Sequence, residues 1–330
     1  MTRVLTTRAR ALRNLTHKSG TRMLLVGIIA LVLILVFVFT DLPGKWEYAL
    51  GLRTRTVAAM AIAAAAIGGA TILFQTITQN RILTPGIMGF DAVFLAIQVL
   101  TVFAIGPAIL VSAPAEASWL VELVLTGGVV VALYWWLFVR GRHDLHVVVL
   151  AGLVLGVMLR SVTAFLQRLL DPDTFAVVQN LAFASFTSVN RQLLIPTAVI
   201  VVLALGSLWP LRRALDVVSL GEPTAISLGV ETRRISMHAI VAIGAMVAAS
   251  TALVGPVTFF GLLVANIAYG LVGHRHLLSI PAAWFIGLIT LVGGQLILDR
   301  LLGFGTELPV VIEFAGGLFF LILVLLGKAR

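Results

Sequence analysis

The chain has 330 residues, of which 60% are hydrophobic and 11% charged, and its mean hydropathy is +1.10. Soluble domains average about 45–50% apolar and about 25% charged residues, so this composition excludes them and indicates a polytopic membrane protein. Cysteine is absent, which excludes disulfides, thiolate metal sites and cysteine nucleophiles.

Windows of about 20 apolar residues suit one helical crossing. Such windows lie near 23–40, 54–77, 82–105, 119–139, 147–166, 193–211, 235–254, 257–272, 280–298 and 308–326. They predict an all-α membrane protein of about ten transmembrane helices, forming a single transmembrane domain over residues 1–330. The first window has no small-residue cleavage site and is long for a signal peptide, so it is expected to be retained.

Lysine and arginine favour the cytoplasmic side of a membrane. With the N-terminus inside, the basic segment 1–22 and the inner loops carry 16 of the 23 Lys and Arg residues. The inner set includes Arg81, Arg140, Arg142, Arg212, Arg213, Arg233, Arg234 and Arg275. The remaining seven are Lys45, Arg53, Arg55, Arg160, Arg168, Arg191 and Arg300. Both termini are then cytoplasmic. The net charge of +9 follows from topology, and no nucleic-acid partner is expected.

The second window is rich in small residues from Ala58 to Ala70, and Gly152-x-x-x-Gly156 repeats the theme in the fifth. Small side chains let membrane helices approach closely, so tight bundle packing is expected at both. Between the second and third windows runs Phe74-Gln-Thr-Ile-Thr-Gln-Asn80-Arg-Ile-Leu-Thr-Pro85-Gly-Ile-Met-Gly89-Phe-Asp91. It is polar and broken by Gly and Pro, and broken backbone survives in a membrane only where protein buries it or a water-filled cavity borders it.

Arg160 lies inside the fifth window, where a cation is costly and tends to face a bundle interior or an aqueous cavity. It could attract an anion in a pathway, pair with Glu313, or snorkel to the outer surface. Gln98, Gln179, Asn180 and Gln295 are neutral polar candidates for the same route, with helix–helix hydrogen bonding as their alternative use.

The cytoplasmic segment 212–234 contains Ser219-Leu-Gly-Glu222-Pro-Thr-Ala-Ile-Ser-Leu-Gly229. Pro223 suits a helix start and Gly229 a helix stop. Ala225, Ile226 and Leu228 then form a very short, partly apolar helix that calls for a partner surface or for its own bundle. His274-x-His276 and His143-x-x-His146 lack the carboxylate or cysteine that would complete a metal site. They are read as ordinary interfacial side chains.

Four segments resemble those of the permease subunits that import iron-siderophores, haem and vitamin B12. Asn80-Arg-Ile-Leu-Thr-Pro85-Gly-Ile-Met-Gly89 is similar to Asn-Pro-Leu-Ala-x-Pro-x-x-x-Gly. Residues Ser219 to Val230 resemble Ser-Leu-Gly-Glu-x-x-Ala-x-x-Leu-Gly-Val, with a spacing shift around Ala225. Gly255-Pro-Val-Thr-Phe-Phe-Gly261-Leu-Leu-Val-Ala-Asn266 and Gly305-Thr-Glu-Leu-Pro309-Val complete the set. Arg81 and Ala265-Asn266 depart from the wider pattern in ways that resemble the ferric catecholate-type branch.

The resemblance implies the fold of a type II ABC importer permease in the bacterial inner membrane. It implies four kinds of partner: a second, different permease chain, ATP-binding subunits, an extracytoplasmic substrate-binding protein and a ferric siderophore as cargo. Ser219, Leu220, Gly221, Glu222, Ala225, Leu228 and Gly229 would form the coupling helix gripped by the ATPase. Arg53, Arg55 and Arg300 would orient the binding protein, or snorkel to lipid headgroups. Asn80, Ile82, Pro85, Leu145, His146 and Arg160 would line the pathway or its gate.

No Gly-x-x-x-x-Gly-Lys-Ser/Thr loop occurs, so ATP and Mg would belong to the partner and this chain would carry no cofactor. Alternatives are a haem or corrinoid permease of the same family and, in another class, a proton-coupled secondary transporter. The latter needs intramembrane acids as relays, for which Glu313 is the best candidate. A membrane enzyme ranks a distant third, since no nucleophile–base or metal constellation stands out.

Overall fold

The computed structural model describes residues 2–40, 46–106, 113–140, 145–302 and 307–325. Side chains are described outside 2–18, 136–140, 145–149, 180–181, 301–302 and 323–324. Among the described residues, seven helices are long and apolar enough to cross a membrane: 19–39, 46–78, 115–135, 150–167, 191–208, 232–254 and 276–300. Three shorter apolar helices, 90–105, 260–272 and 308–322, bring the set to the ten expected from hydropathy.

In chain order the crossing helices are α1 (Thr2–Phe39), α2 (Trp46–Thr78), α3 (Phe90–Ile105), α4 (Ala115–Arg140) and α5 (Leu145–Gln167). A short α6 (Pro172–Ala182) precedes α7 (Arg191–Leu208). Two small helices, α8 (Arg212–Val218) and α9 (Glu222–Ser227), lead into α10 (Thr232–Val254). The chain continues through α11 (Phe260–Val272), α12 (His276–Ile297), a π-helical turn (Leu298–Leu302) and α13 (Leu308–Leu325).

The bundle is built around α2 and α10. Two-thirds or more of their crossing windows are buried, 67% and 72%, against 17–28% for α1, α4, α5 and α7. Helix α2 packs against α12 and α10, and α10 also packs against α4 and α7. The small-residue run makes this possible: Ala59, Ala63, Ala64, Ala66 and Ala70 are wholly buried. A Cβ on Gly68 would sit 3.3 Å from the Cβ of Ala283, and one on Gly287 would sit 2.8 Å from that of Ala64. Close approach, which is how helices gain dispersion energy in lipid, therefore depends on the absence of side chains here.

Two apolar windows overstate their helices. The window at 82–105 becomes helical only at Phe90, and the one at 257–272 only at Phe260. Pro85, Gly86 and Gly89 break the first, and Gly255-Pro256 the second, while buried Met88 and Val257 keep both segments apolar. Hydropathy reports burial, not backbone conformation. The basic N-terminal segment is the first part of α1 rather than a separate tail. Helix α6 lay outside the apolar windows; Asp171 caps it by accepting from the Thr174 N–H at 2.9 Å, and Pro172 occupies its first turn.

The α2–α12 seam yields a direct test. Gly287→Ala places a methyl against Ala64 and Phe260, and overpacking of this kind costs about 1–3 kcal/mol. Gly128 on α4 has open space around its Cα, so Gly128→Ala should be neutral or slightly stabilising. Thermal unfolding of both variants in detergent checks the contrast.

Candidate functional site

The first broken segment is held together by its own polar side chains. After α2 ends, Gln79 adopts φ 52°, the one positive φ outside glycine among the described residues. Its side-chain amide donates to the carbonyls of Thr76 at 2.6 Å and Val218 at 2.8 Å. Asn80 accepts from the Ile82 N–H at 3.0 Å, an Asx turn, and the Gln75 amide donates to the Arg81 carbonyl at 2.6 Å. Further along, the Phe90 N–H donates to the Pro85 carbonyl at 3.2 Å and the Met88 N–H to that of Thr84 at 3.1 Å.

Glycine then lets two backbones touch. Gly89 lies at φ 99°, and a Cβ there would come within 2.8 Å of the Gly156 Cα. Gly152 receives the Met88 side chain. The Gly152/Gly156 pair of α5 thus packs, as expected, against this broken segment, and Gly152 also meets Tyr134 of α4.

The second broken segment meets the first. Thr258 donates to Asp91 Oδ2 at 2.9 Å, and Asn266 donates to the Arg81 carbonyl at 3.3 Å. Pro85, Thr84, Asp91, Thr251 and Thr258 line a cavity of about 20 Å³ between the segments. That volume admits about one water molecule. Pro85 is therefore buried in packing, whereas Asn80 and Ile82 are half-buried at the loop's edge.

Flanking these segments, α5 and α13 present charge at membrane depth. Arg160 and Glu313 are both exposed, and both lie within electrostatic reach of Asp91. The Arg160 guanidinium folds back over Gly156, beside Gly89. Among the described residues Arg160 and Glu313 form no ion pair with each other, so the internal-bridge alternative falls. Exposed charges on a membrane helix need water or a protein partner, not lipid. Gln98 instead donates to Glu122 at 2.6 Å, tying α3 to α4. Leu145 and His146 have side chains outside the described residues.

At one end of the bundle, α8 and α9 hold the residues of the candidate coupling segment. Gly221 at φ 102° precedes α9, and Pro223 lies in its first turn. Gly229 at φ 79° ends it, with Val230 N–H donating to Ala225 carbonyl and Gly229 N–H to Ile226 carbonyl, a Schellman stop. Ala225 is wholly buried, while Leu220, Ile226 and Leu228 are 59–62% exposed. Ser219 closes α8, and Glu222 accepts from Thr232 at 3.4 Å.

The same end holds a buried tie that the sequence did not disclose. His276, 1% exposed, donates its backbone N–H to Asp216 Oδ1 at 2.9 Å and places Nδ1 2.6 Å from the same oxygen. Its Nε2 lies 2.8 Å from Thr76 Oγ1. One imidazole thus connects α8, α12 and the end of α2. The interfacial reading of His276 is corrected, because its polar partners come from distant segments and make burial affordable. His274 packs instead on Tyr269, with ring centroids 4.8 Å apart, and burial depresses its basicity, helped by Arg81 and His276.

At the opposite end, Arg53 and Arg300 converge on the close of α1. Arg53 donates to the carbonyls of Phe37, at 3.0 Å, and Thr40, and Arg300 donates to Thr40 Oγ1 at 2.6 Å. Cations at a helix C-terminus offset its unpaired carbonyls and dipole. Arg53 is half-buried, whereas Arg55 and Arg300 are exposed.

The chain matches the FecCD transport family over residues 23–326. It belongs to that family. It is 38% identical over 303 residues to the petrobactin import system permease protein YclO of Bacillus subtilis, covering 92% of this chain and 96% of the relative. FatC of Bacillus anthracis, also a petrobactin import permease, is 32% identical over 84% of this chain and 78% of its own. FepD of Escherichia coli, a ferric enterobactin permease, is 31% identical over 69% and 66%. An inward-facing metal-chelate type ABC transporter shares the fold at a TM-score of 0.80 and 18% identity, over 93% of this chain and 99% of that one. The resemblance seen in the four segments is thus borne out. This FecCD-family chain is a multi-pass membrane permease subunit.

The Asp216 tie can be tested by pH. Burial alone would raise the Asp216 carboxyl, but hydrogen bonds from the His276 ring and backbone outweigh it and hold the group low. Its contribution is therefore present above the unfolded carboxylate value of about 3.9 and is lost as pH falls through the lower folded value. Asp216→Ala leaves two donors of His276 unmet, at a cost of about 1–3 kcal/mol near neutral pH. Asp216→Asn, which keeps an acceptor, should recover part of it. The thermal midpoints of wild type and Asp216→Ala should converge as pH falls below about 4.

Proposed function

We propose that this permease is half of the membrane pore of an ATP-driven importer that moves a ferric siderophore across the bacterial cytoplasmic membrane. The observation that carries the reading is the pair of exposed charges, Arg160 and Glu313, on α5 and α13 beside the two broken segments. Such a face belongs against water and a second subunit. The siderophore permeases among its relatives supply the cargo class. A ferric catecholate chelate is anionic, and Arg160 offers it a positive charge.

In this reading both termini and the α8–α9 end are cytoplasmic. Arg22, Arg81, Arg212, Arg213, Arg233, Arg234 and Arg275 then fall near that end, as the positive-inside tendency requires. The second permease subunit is a different chain. ATP-binding subunits, carrying ATP and Mg, grip the apolar surface of Leu220, Ile226 and Leu228.

Movement of α8 and α9 reaches the gate by two short routes. One is the Val218 carbonyl held by Gln79, next to Asn80 and Ile82. The other is the Asp216–His276–Thr76 tie. Leu145 and His146 complete the cytoplasmic constriction. At the outer end Arg55 and Arg300 meet acidic groups of the binding protein, and Arg53 fixes the end of α1 beneath them.

Two outcomes are expected in proteoliposomes containing the full transporter. Leu228→Asp should reduce ATP-driven uptake at least about tenfold, equivalent to about 1.4 kcal/mol of interface energy, with membrane insertion intact. Unchanged uptake with the ATPase still bound would remove the coupling assignment. Uptake by this chain alone under a proton gradient would replace the ATP-driven reading altogether.

Arg160→Gln tests the pathway. It should slow entry of an anionic ferric chelate about tenfold at low salt, and less at high salt. Binding-protein docking should be retained. Equal rates for anionic and neutral chelates in wild type and variant would make Arg160 structural.

A further inference from the structure

A groove of about 1030 Å³ opens between α7 and α10. Its walls are apolar: Ile200 and Leu203 from α7 face Val241 and Ala245 from α10. Its mouth is polar, with Ser207, Arg233, Arg234 and His238. The two helices run in opposite directions, so the mouth lies at the end of α7 and the start of α10. From Arg234 to Ala245 the wall extends roughly 16 Å at 1.5 Å per residue, about half the hydrocarbon thickness of a bilayer.

We propose that this groove binds an anionic phospholipid of the cytoplasmic leaflet, with an acyl chain along its walls and the phosphate at Arg233 and Arg234. The depth of the mouth is marked by tryptophan. Trp135, on the rim, is 53% exposed, and Trp209, just past Ser207, is 49% exposed. Exposed tryptophans settle at headgroup level. Arg212 lies over the Trp209 ring, 5.1 Å from its centroid, adding a third cation at that level.

The charge balance selects the headgroup. Glu231 approaches Arg234 at 3.9 Å, and both side chains are largely exposed, so the carboxylate only partly offsets Arg234. His238 Nε2 and Ser207 Oγ lie 3.0 Å apart across the mouth and offer polar contacts to phosphate oxygens or glycerol esters. Basic pockets between transmembrane helices on the cytoplasmic side suit anionic headgroups, each cation contributing to the preference. Walls at hydrocarbon depth, in turn, suit an acyl chain better than a polar protein surface.

The occupant would touch the coupling segment. Ile226 of α9 and Val230 line the same groove, so a bound lipid braces α9 against α10. Anionic lipid thereby stabilises the surface offered to the ATPase. This inference rests on the proposed orientation with α8 and α9 inside.

The test uses the full chain in nanodiscs of phosphatidylcholine mixed with an equal share of phosphatidylglycerol. After transfer to mild detergent, native mass spectrometry counts the retained lipids. Wild type should keep phosphatidylglycerol over phosphatidylcholine about tenfold, and Arg233→Gln with Arg234→Gln should bring the ratio near one. Ala245→Trp, which fills the wall, should lower retention of both lipids. Equal retention by wild type, or an unchanged preference in the double variant, overturns the phospholipid site.

A lipid-independent rise in thermal midpoint on adding the ATP-binding subunit, with equal lipid retention, would instead assign the groove to that protein and overturn the proposal. Side is read separately with Ser207→Cys in a chain that has no native cysteine. Labelling by an impermeant thiol reagent from the cytoplasmic face is expected. Labelling from the other face overturns the inner-leaflet assignment and the orientation, even where the lipid preference stands.

Discussion

Inside hydrocarbon, a backbone N–H or carbonyl without a partner costs several kcal/mol, so a membrane chain can interrupt a helix only where protein or water supplies those partners. This permease breaks its helices at 79–89 and at 255–259 and places these two breaks against each other. Asn80, Thr84, Pro85 and Gln75 satisfy the first break locally. Asn266 and Thr258 join it to the second. Gly89 on Gly156 brings α5 over it, and Gly316 lets α13 approach the backbone of Phe259. The small-residue seams of α2 then have a clear role: they hold the helices near enough for the breaks to meet.

That arrangement explains why charge gathers where it does. With irregular backbone at the centre, α5 and α13 become the flanks, and their outward faces carry Arg160 and Glu313. Neither helix has enough buried surface in this chain alone to be a central element; the α5 window is only 17% buried. A helix that is both poorly packed and charged at membrane depth is incomplete without a neighbour. Water or a protein neighbour is thus a physical requirement of this face, one that the second subunit of the proposed transporter would meet.

The crossings were legible because length and hydropathy constrain them strongly. The coupling segment was legible because Pro223 and Gly229 are start and stop signals with backbone causes: a proline in the first turn and a glycine at positive φ. The breaks were legible in kind but not in extent. Ile82, Leu83, Ile87 and Met88 are apolar and packed whether or not their backbone is helical. The Asp216–His276 tie left one faint trace. Helix α12 begins after Arg275, whose side chain has no acceptor, so its first N–H had to be satisfied from elsewhere. Nothing local indicated that the acceptor would come from Asp216.

The convergence of Arg53 and Arg300 was hidden for the same reason, since the two meet at Thr40, far from Arg300 in sequence. It changes how that end of the bundle should be understood. An arginine that closes a helix terminus is held by carbonyls and loses less freedom on meeting a partner than a free surface cation would. At the opposite end, His276 does the corresponding work between α8 and α2. Both ends are therefore fixed to the helices they would move, by side chains that satisfy exposed helix termini. The unfilled groups at helix ends, a cost that every bundle carries, are here the points at which external partners can act on the bundle.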